Sequence, residues 1–274
     1  PRSTQGYSSA ASVVYKRQIQ NMLNIDPDDS VNALLRLRGL NDEEFVKSHY
    51  VVFATKNGTV KKTSLEAYSR PRTNGVNAIN IVEGDEVVDV RLTNGKNEII
   101  LANRNGRAVR FDEDSIRTMG RVSTGVRGMK LDEGDDEVVG MIVVNNAETE
   151  TVMVVSENGY GKRSQVEDYR KTNRGGKGVK TFSITEKTGR LVAIKNVTDD
   201  NDLMIINKSG IAIRLAVSEC RVMGRATQGV RLIHLSKKND VIASVCKVMS
   251  SEKEADVEGD KDDETSQPLN PPTA

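Results

Sequence analysis

Short apolar runs recur along the chain about every 50 residues, and each run ends at a polar turn that contains glycine. The runs that define this period are Val51–Phe53, Ile99–Leu101, Val152–Val155 and Leu203–Ile206, and the turn glycines that follow them are Gly58, Gly106, Gly159 and Gly210. Asn-Gly and Ser-Gly between short runs of β-forming residues are typical of hairpins, because glycine tolerates the positive φ of a tight turn. Each run is therefore predicted to be a β-strand that enters a hairpin.

A second glycine, followed by valine, recurs in each repeat, and a polar turn with another apolar strand comes about a dozen residues later. These second glycines are Gly75, Gly125, Gly178 and Gly229. The predicted fold is all-β, a β-propeller-like array of four-stranded blades. The predicted blades lie at about 48–95, 96–147, 148–199 and 200–250, after a partial blade at 17–47. A solenoid is the alternative architecture.

The composition favours several small cores over one large core. Aromatic residues make up 4% of the chain and tryptophan is absent, and a repeat unit buries its apolar face mainly against its neighbours. The two cysteines, Cys220 and Cys246, indicate a reducing compartment and not a disulfide framework. No apolar stretch approaches membrane-spanning length and no signal peptide is recognisable. We therefore expect a cytoplasmic protein with no membrane partner.

The net charge of +1 conceals two oppositely charged parts. Residues 251–274 hold eight acids and two lysines, a charge of −6, which leaves +7 on the rest of the chain. This tail is polar and almost free of large apolar groups, so it is predicted to be disordered. A basic body with an acidic tail is typical of nucleic-acid binders, although a solubilising role explains the tail alone equally well. Residues 1–16 do not match the repeat and are interpreted as a linker, a displaced edge strand or a non-native segment.

Cations recur at fixed positions relative to both glycines. The fourth residue after the first glycine is Lys62, Arg110, Arg163 and Arg214 in successive modules. The loop before the second glycine carries Arg70, Arg117, Arg170 and Arg221, and nearer to the glycine Arg72, Arg121, Arg174 and Arg225. Two residues after the second glycine stand Arg127, Lys180 and Arg231. These positions lie in turns or alternate with the apolar face, so we expect all these side chains to project outward.

A repeated cation of one sign predicts a continuous positive track across the stacked modules. Simple solvation of the surface requires neither fixed positions nor a single sign. Such a track matches duplex phosphates, which present one charge per about 1.7 Å of helix axis. Exposed aromatic residues are too few for the stacking platforms of single-strand and RNA binders, and no recognition helix or metal finger is evident. The sequence therefore predicts binding of the double-stranded DNA backbone with little base readout.

The densest basic patch is the segment Tyr169–Gly178, which ends in Arg174-Gly175-Gly176-Lys177-Gly178. Its glycines are expected to let backbone amides approach phosphates, while Arg174 and Lys177 supply charge. The Walker arrangement of glycines followed by Gly-Lys-Ser/Thr is absent, which argues against a mononucleotide site. The two histidines are too few for a metal cage, and the acidic clusters are interpreted as turns that open strands. No catalytic residue and no metal site are predicted.

Three segments resemble blades of the DNA gyrase A C-terminal domain family. They are Met119–Arg127, Asn158–Arg163 and Met223–Arg231, and the similarity extends from about Arg17 to Met249. The resemblance implies a β-pinwheel, a propeller relative whose blades exchange strands and whose positive rim wraps DNA. It also implies support of ATP-dependent negative supercoiling in a bacterial, nucleoid-associated enzyme. The implied partners are the gyrase B protein and the N-terminal part of the gyrase A protein. ATP and Mg²⁺ would be bound elsewhere, with no cofactor in this chain.

The gyrase A box of this family has the pattern Gln-Arg/Lys-Arg-Gly-Gly-Arg/Lys-Gly and lies in the first blade, which this chain is expected to lack. The segment Thr172–Gly178 is similar to the box but has Thr and Asn at its first two positions and lies in what would be the fifth blade. The matching C-terminal domain of topoisomerase IV, whose box is eroded, is therefore the nearest alternative. A propeller that docks an acidic protein partner is another, and an enzyme built at a propeller's central channel is a third.

Overall fold

The computed structural model describes residues 31–37, 39–70, 72, 75–235 and 240–249. The unmatched segment 1–16, the first part of the predicted unit 17–47 and the acidic tail 251–274 lie outside the described residues. The α-helix of this region, α1 (Glu43–Ser48), is capped by the Asp42 carboxylate, which accepts from the Glu44 and Phe45 amides. No helix in the described ranges is long and apolar enough to cross a membrane.

Four antiparallel sheets follow one another along the described chain, each built around the strands of one module. In every sheet the first strand of the module pairs with both the second and the third. The strands of the first and second modules are β1 (Tyr50–Thr55), β2 (Thr59–Ser64) and β3 (Val87–Thr93), then β4 (Glu98–Asn103), β5 (Arg107–Asp112), the short β6 (Val126–Arg127) and β7 (Val138–Val144). Those of the third and fourth are β8 (Thr151–Ser156), β9 (Tyr160–Gln165), the short β10 (Val179–Lys180), β11 (Leu191–Val197), β12 (Asn201–Asn207), β13 (Ala212–Ala216), the short β14 (Val230–Arg231) and β15 (Ile242–Met249).

The short strands are exchanged between blades. β6 of the second module pairs with β2 of the first, β10 pairs with β5, and β14 pairs with β9. The first three blades therefore have four strands, and the fourth blade has three among the described residues. The third strands β3, β7, β11 and β15 pack against one another in that order. This arrangement confirms the predicted all-β, propeller-like array and not a solenoid.

The second glycine of the last three modules (Gly125, Gly178 and Gly229) permits this exchange because it crosses the backbone of the preceding blade. Gly125 has φ of +113°, and a Cβ at this position would lie 2.5 Å from the Val60 carbonyl oxygen. The equivalent Gly178 would collide in the same way with the Ala108 carbonyl. Any side chain here would displace the exchanged strand from its partner, so the recurring Gly-Val is a requirement of the fold.

Three apolar cores lie between blades, and a fourth packs α1 against the first blade. The cluster between the second and third blades includes Ile100, Ile142, Val154 and Phe182, all of them buried. Two similar clusters join the first blade to the second and the third to the fourth. Each of the three cores between blades is therefore shared by two neighbours, which is the nearest-neighbour packing of a repeat array.

A series of hydrogen bonds and ion pairs also joins consecutive blades where each first strand ends. The carbonyl of Lys56 accepts from the Val138 amide at 2.8 Å, and the carbonyl of Arg104 accepts from Leu191 at 3.0 Å. The Lys56 ammonium lies 3.2 Å from the Glu137 carboxylate, which also pairs with Arg104 at 3.4 Å. The same main-chain contact thus recurs from blade to blade and fixes their relative positions.

Candidate nucleic-acid interface

The cations that follow the first glycine are turned into the protein, and Arg163 on β9 shows the arrangement most fully. Arg163 is 5% exposed, and its Nε donates to Thr151 Oγ1 at 3.1 Å. Its Nη1 pairs with the Asp199 carboxylate at 2.6 Å and donates to the carbonyls of Val217 and Cys220 at 3.0 and 3.3 Å. Those carbonyls belong to the 3-10 turn of the next module, Val217–Glu219 and its cap. Arg163 therefore connects two modules.

Equivalent contacts occur in the first two blades. Lys62 pairs at 3.1 Å with Glu113, whose side chain is fully buried, and its ammonium lies 4.5 Å from the centre of the Tyr50 ring. Arg110 pairs with Glu98 and donates to the carbonyls of Val166 and Tyr169 at 2.8 and 3.1 Å. The prediction that these side chains project outward is wrong, because the next module covers the face of the strand that carries them.

In the last blade, Arg214 is partly exposed, but it is also engaged within its blade. Its Nε donates to the Asp202 carboxylate at 2.7 Å and its Nη2 donates to the Met249 carbonyl at 2.6 Å. Asp202 and Glu98 both stand twelve residues before the arginine they bind. This spacing is the signal in the sequence that marks two of these cations as structural.

The cations around the second glycine lie at the surface. Those with exposed side chains are Arg70, Arg72, Arg117, Arg127, Arg170, Lys177, Lys180, Arg221 and Arg231, and those that are half-buried are Arg121, Arg174 and Arg225. For this larger group the structure agrees with the outward projection that the sequence predicted.

Surface cations of successive modules are linked by a repeated contact. Arg174 donates from Nη1 to the carbonyl of Arg127 at 3.0 Å and from Nε to the carbonyl of Ser115 at 2.8 Å. One module later, Arg225 donates from Nη1 to the carbonyl of Lys180 at 2.7 Å. In the last two modules, the arginine before the second glycine thus touches the main chain of the cationic residue that follows the previous second glycine. We call the surface formed by Arg121, Arg127, Arg174, Lys180, Arg225 and Arg231 the rim track.

Arg231 continues the rim track at the far side of the third blade. Its Nη2 and Nε donate to the Tyr160 hydroxyl at 2.8 and 3.2 Å, and its guanidinium lies 5.4 Å from the centre of that ring. The phenol thus holds the cation in place without neutralising its charge.

The glycines of the box-like segment mostly serve the fold. The Gly175 amide donates to the Gly128 carbonyl at 2.6 Å, and the Gly176 carbonyl accepts from the Lys130 amide at 3.0 Å. The expected role of the Gly175 amide as a phosphate ligand is wrong, because that donor is already used. Gly178 is the glycine that crosses the preceding blade.

Lys177 of the same segment extends over the surface and pairs with Asp132. Its ammonium lies 2.9 Å from the carboxylate, and just over half of its side chain is exposed. The hydrogen bond from Lys177 lowers the pKa of Asp132. A groove of about 300 Å³ lies beside it, with Arg170 and Asn173 among the lining residues. Within the ranges that the structure covers, no group of three or more His, Cys, Asp or Glu side chains could hold a metal ion.

Two buried lysines beneath the surface loops were not anticipated. Lys61 donates to the carbonyls of Ala78, at 2.5 Å, and Arg121. Lys162 donates to the Gly224 carbonyl at 2.8 Å and to Ser164 Oγ at 3.0 Å. Burial lowers the pKa of Lys61 to about 8 and that of Lys162 to about 7. Each precedes a cation of the first-glycine set, so a pair of adjacent cations in one strand is the signal that could have located them.

Known proteins show where this architecture occurs. The family model of the DNA gyrase C-terminal domain, beta-propeller, matches residues 49–94, 97–145, 150–198 and 201–246. The DNA gyrase A protein of Staphylococcus aureus strain MRSA252 is 42% identical over 90% of this chain and 27% of its own length, and that of strain NCTC 8325 is 43% identical over 84% and 25%. The chain thus spans about a quarter of the length of the curated relatives it matches.

Two solved structures have the same fold. The C-terminal domain of DNA topoisomerase IV is 27% identical with a TM-score of 0.77, covering 89% of this chain and 75% of its own. The DNA gyrase A C-terminal domain is 24% identical with a TM-score of 0.75, covering 87% and 77%, and this likeness bears on the fold alone. From the four matched segments and the identity to the curated relatives, the chain belongs to the DNA gyrase C-terminal domain family, with its beta-propeller fold.

Proposed function

We propose that this domain binds double-stranded DNA through its phosphate backbone and bends the duplex around the blades. The observation that carries the proposal is the repeated link between surface cations, from Arg174 to the Arg127 carbonyl and from Arg225 to the Lys180 carbonyl. Through these links the charges of successive modules form one path and are not isolated. A path of fixed positive charge complements the phosphate repeat of a duplex.

Three rim-track arginines, Arg174, Arg225 and Arg231, are held in place by hydrogen bonds before DNA arrives. Arg174 uses Nε and Nη1 for main-chain carbonyls, and a guanidinium has five N–H donors, so donors remain for a phosphate. Because the side chain is already ordered, binding costs less side-chain entropy than it would for a free arginine. The groove beside Arg170 and Lys177 offers a further place for a backbone phosphate.

Binding of this kind is independent of sequence and bends the duplex. The one described α-helix, α1, has six residues, and the rim track consists of loops and two-residue strands, neither of which enters a groove to read bases. Bending a 20–30 bp site by 40–90° costs on the order of 1–6 kcal/mol, which several phosphate contacts offset.

In the longer protein the domain would serve as the DNA-wrapping part of the gyrase A protein. The curated relatives are DNA gyrase A proteins about four times as long as their match to this chain. The partners we propose are therefore double-stranded DNA, the gyrase B protein and the remainder of the gyrase A protein. ATP hydrolysis and strand cleavage would take place in those other parts and would supply the energy and the break for negative supercoiling.

Ligation of a relaxed, nicked plasmid in the presence of the chain tests this proposal. We expect a shift in the linking number of the closed product that disappears when Arg127, Arg174 and Arg225 are changed to glutamate. The matched control is Lys47→Glu, a charge reversal at an exposed lysine of α1 outside the rim track. Normal binding and an unchanged linking-number shift in the triple variant would contradict the proposed path of the DNA.

A second candidate is a domain that bends DNA without constraining a wrap, as a topoisomerase IV module. The departures from the gyrase box at Thr172 and Asn173 and the similarity to the topoisomerase IV C-terminal domain favour it. The same ligation experiment separates the two, because binding without a change in linking number indicates this alternative.

A further inference from the structure

Lys162 is a buried ammonium that lacks a carboxylate partner. It lies on β9, it is 1% exposed, and its Nζ donates to the Gly224 carbonyl and to Ser164 Oγ. Among the described residues, no carboxylate lies within ion-pairing distance of it. Burying a charge without an opposite charge is costly, so a lysine at such a position calls for a physical reason.

The partner of Lys162 is the first residue of the turn that carries a rim-track arginine. The Gly224 carbonyl also accepts from Thr227, from its amide at 3.3 Å and its hydroxyl at 3.0 Å, which closes the turn around Arg225. The buried ammonium thus holds the main chain of the turn, while the side chain of Arg225 contacts the Lys180 carbonyl at the surface.

The same arrangement recurs two blades earlier. Lys61, at the equivalent position of β2, donates to the Arg121 carbonyl within the turn that begins at Gly120. In the intervening blade the equivalent residue is Val109, and the turn of Arg174 is held by the Gly175 amide instead. The repetition in two blades shows that the contact belongs to the surface loops and is not an accident of packing.

We propose that Lys162 is a positioning residue for DNA binding: its ammonium holds the Arg225 turn in the conformation that meets phosphate, and binding of DNA draws a proton onto Lys162. The inference rests on the proposed function, because it assigns to the rim track the phosphate contact that changes the charge around the lysine.

The surrounding charges give the direction of this coupling. Burial lowers the pKa of Lys162 to about 7, Asp168 on the adjacent 3-10 turn opposes this shift, and Arg225 adds to it. The Tyr169 hydroxyl nearby has its pKa raised to about 12 by burial, so it stays neutral. A phosphate on Arg225 cancels the repulsion from that guanidinium and adds a negative charge. Both changes raise the pKa of Lys162 in the complex.

The pH dependence follows from this sign. Below the pKa of the free domain, Lys162 is protonated with or without DNA, and affinity does not depend on its titration. Between the pKa of the free domain and the higher pKa of the complex, binding takes up a proton and affinity falls as pH rises, by at most about tenfold per pH unit. Above the pKa of the complex the dependence ends.

Fluorescence anisotropy with the full chain and a mixed-sequence duplex of about 40 bp, at constant ionic strength from pH 6.5 to 8.5, tests the coupling. We expect wild-type affinity to fall by about tenfold over this range. Lys162→Met, which keeps the length of the side chain without its charge, should bind more weakly at pH 6.5 and lose part of the pH slope, the remainder coming from Lys61, whose pKa of about 8 lies in the same range. His234→Gln is the matched control, because His234 contacts Arg231 of the rim track, and it should keep the wild-type slope.

Titration calorimetry of the wild type in two buffers of different ionisation enthalpy provides a second measurement that needs no variant. Proton uptake at pH 7.5 supports the proposal. DNA binding without proton uptake, or a pH slope in Lys162→Met as steep as that of the wild type, overturns it and leaves the proposed function standing. Absence of DNA binding at 50 mM salt would instead refute the proposed function itself.

Discussion

Removing the inward-facing Arg163 should destabilise the domain without acting on DNA contacts directly. In Arg163→Met the buried carbonyl of Cys220 loses its donor, whereas the Val217 carbonyl still accepts from the Cys220 amide and the Thr151 hydroxyl still donates to the Val197 carbonyl. Each buried acceptor left without a partner costs about 1–3 kcal/mol. The lost pair with Asp199 adds little, since three quarters of that carboxylate is exposed to solvent. We expect a total loss of about 1–3 kcal/mol in the free energy of unfolding.

Urea unfolding followed by circular dichroism measures this loss, and fluorescence anisotropy measures DNA affinity under conditions where each variant is folded. Arg170→Ala is the matched control, an exposed arginine seven residues away, and its stability should change by less than about 0.5 kcal/mol. Arg174→Ala should show the opposite pattern to Arg163→Met, with weaker DNA binding and a small change in stability. If Arg163→Met unfolds at the wild-type urea concentration, or loses DNA affinity as Arg174→Ala does while folded, the assignment of inward and outward cations is wrong.

Three further predictions concern the crossing glycine, the rim track and the buried lysine. Gly178→Ala should destabilise the exchanged strand and increase amide hydrogen exchange in β5 and β10. Gly120→Ala should not, because there is open space around Gly120. Equal amide hydrogen exchange in the two variants would contradict the crossing of Gly178 over the preceding blade. The double variant Arg174→Gln, Arg225→Gln should reduce the slope of log affinity against log salt concentration by about 1.8, because each lost phosphate contact contributes about 0.9. An unchanged slope would show that these two residues do not contact phosphates. Burial lowers the pKa of Lys162 to about 7, so above that pH the unfolded chain binds more protons than the folded chain. The melting temperature of the wild type should therefore rise more steeply than that of Lys162→Met as the pH increases from about 7 towards 10. Parallel pH curves would indicate that the ammonium is not desolvated.

Much of the fold could be read from local features of the sequence. The hairpins at Gly58 and Gly106 and the strands before them follow from apolar runs and turn glycines, which need only a few neighbouring residues to specify them. The strand exchange cannot be read in this way, because Val126 pairs with Val60 of the previous module and no local pattern records a partner that distant.

The orientation of the cations could be predicted only in part, for a related reason. Alternation along a strand separates inside from outside when one face meets solvent, but β2 and β9 are covered on both faces. Lys61 and Lys62 are adjacent, point to opposite faces, and are both buried. Loop cations such as Arg170 are not covered by a neighbouring blade, so the expectation that their side chains are exposed was correct.

The exchanged strands also determine how mechanical force would spread through the array. Arg127 and Lys180 of the rim track lie within β6 and β10, the two-residue strands that pair with the preceding blade. Tension from a duplex that pulls on Lys180 would act on β10, which is covalently part of the third module and hydrogen-bonded to the second. In the proposed complex each phosphate that pulls on the rim track would load two blades together and shear their β-ladder, so the array would resist unfolding better than a series of separately folded units.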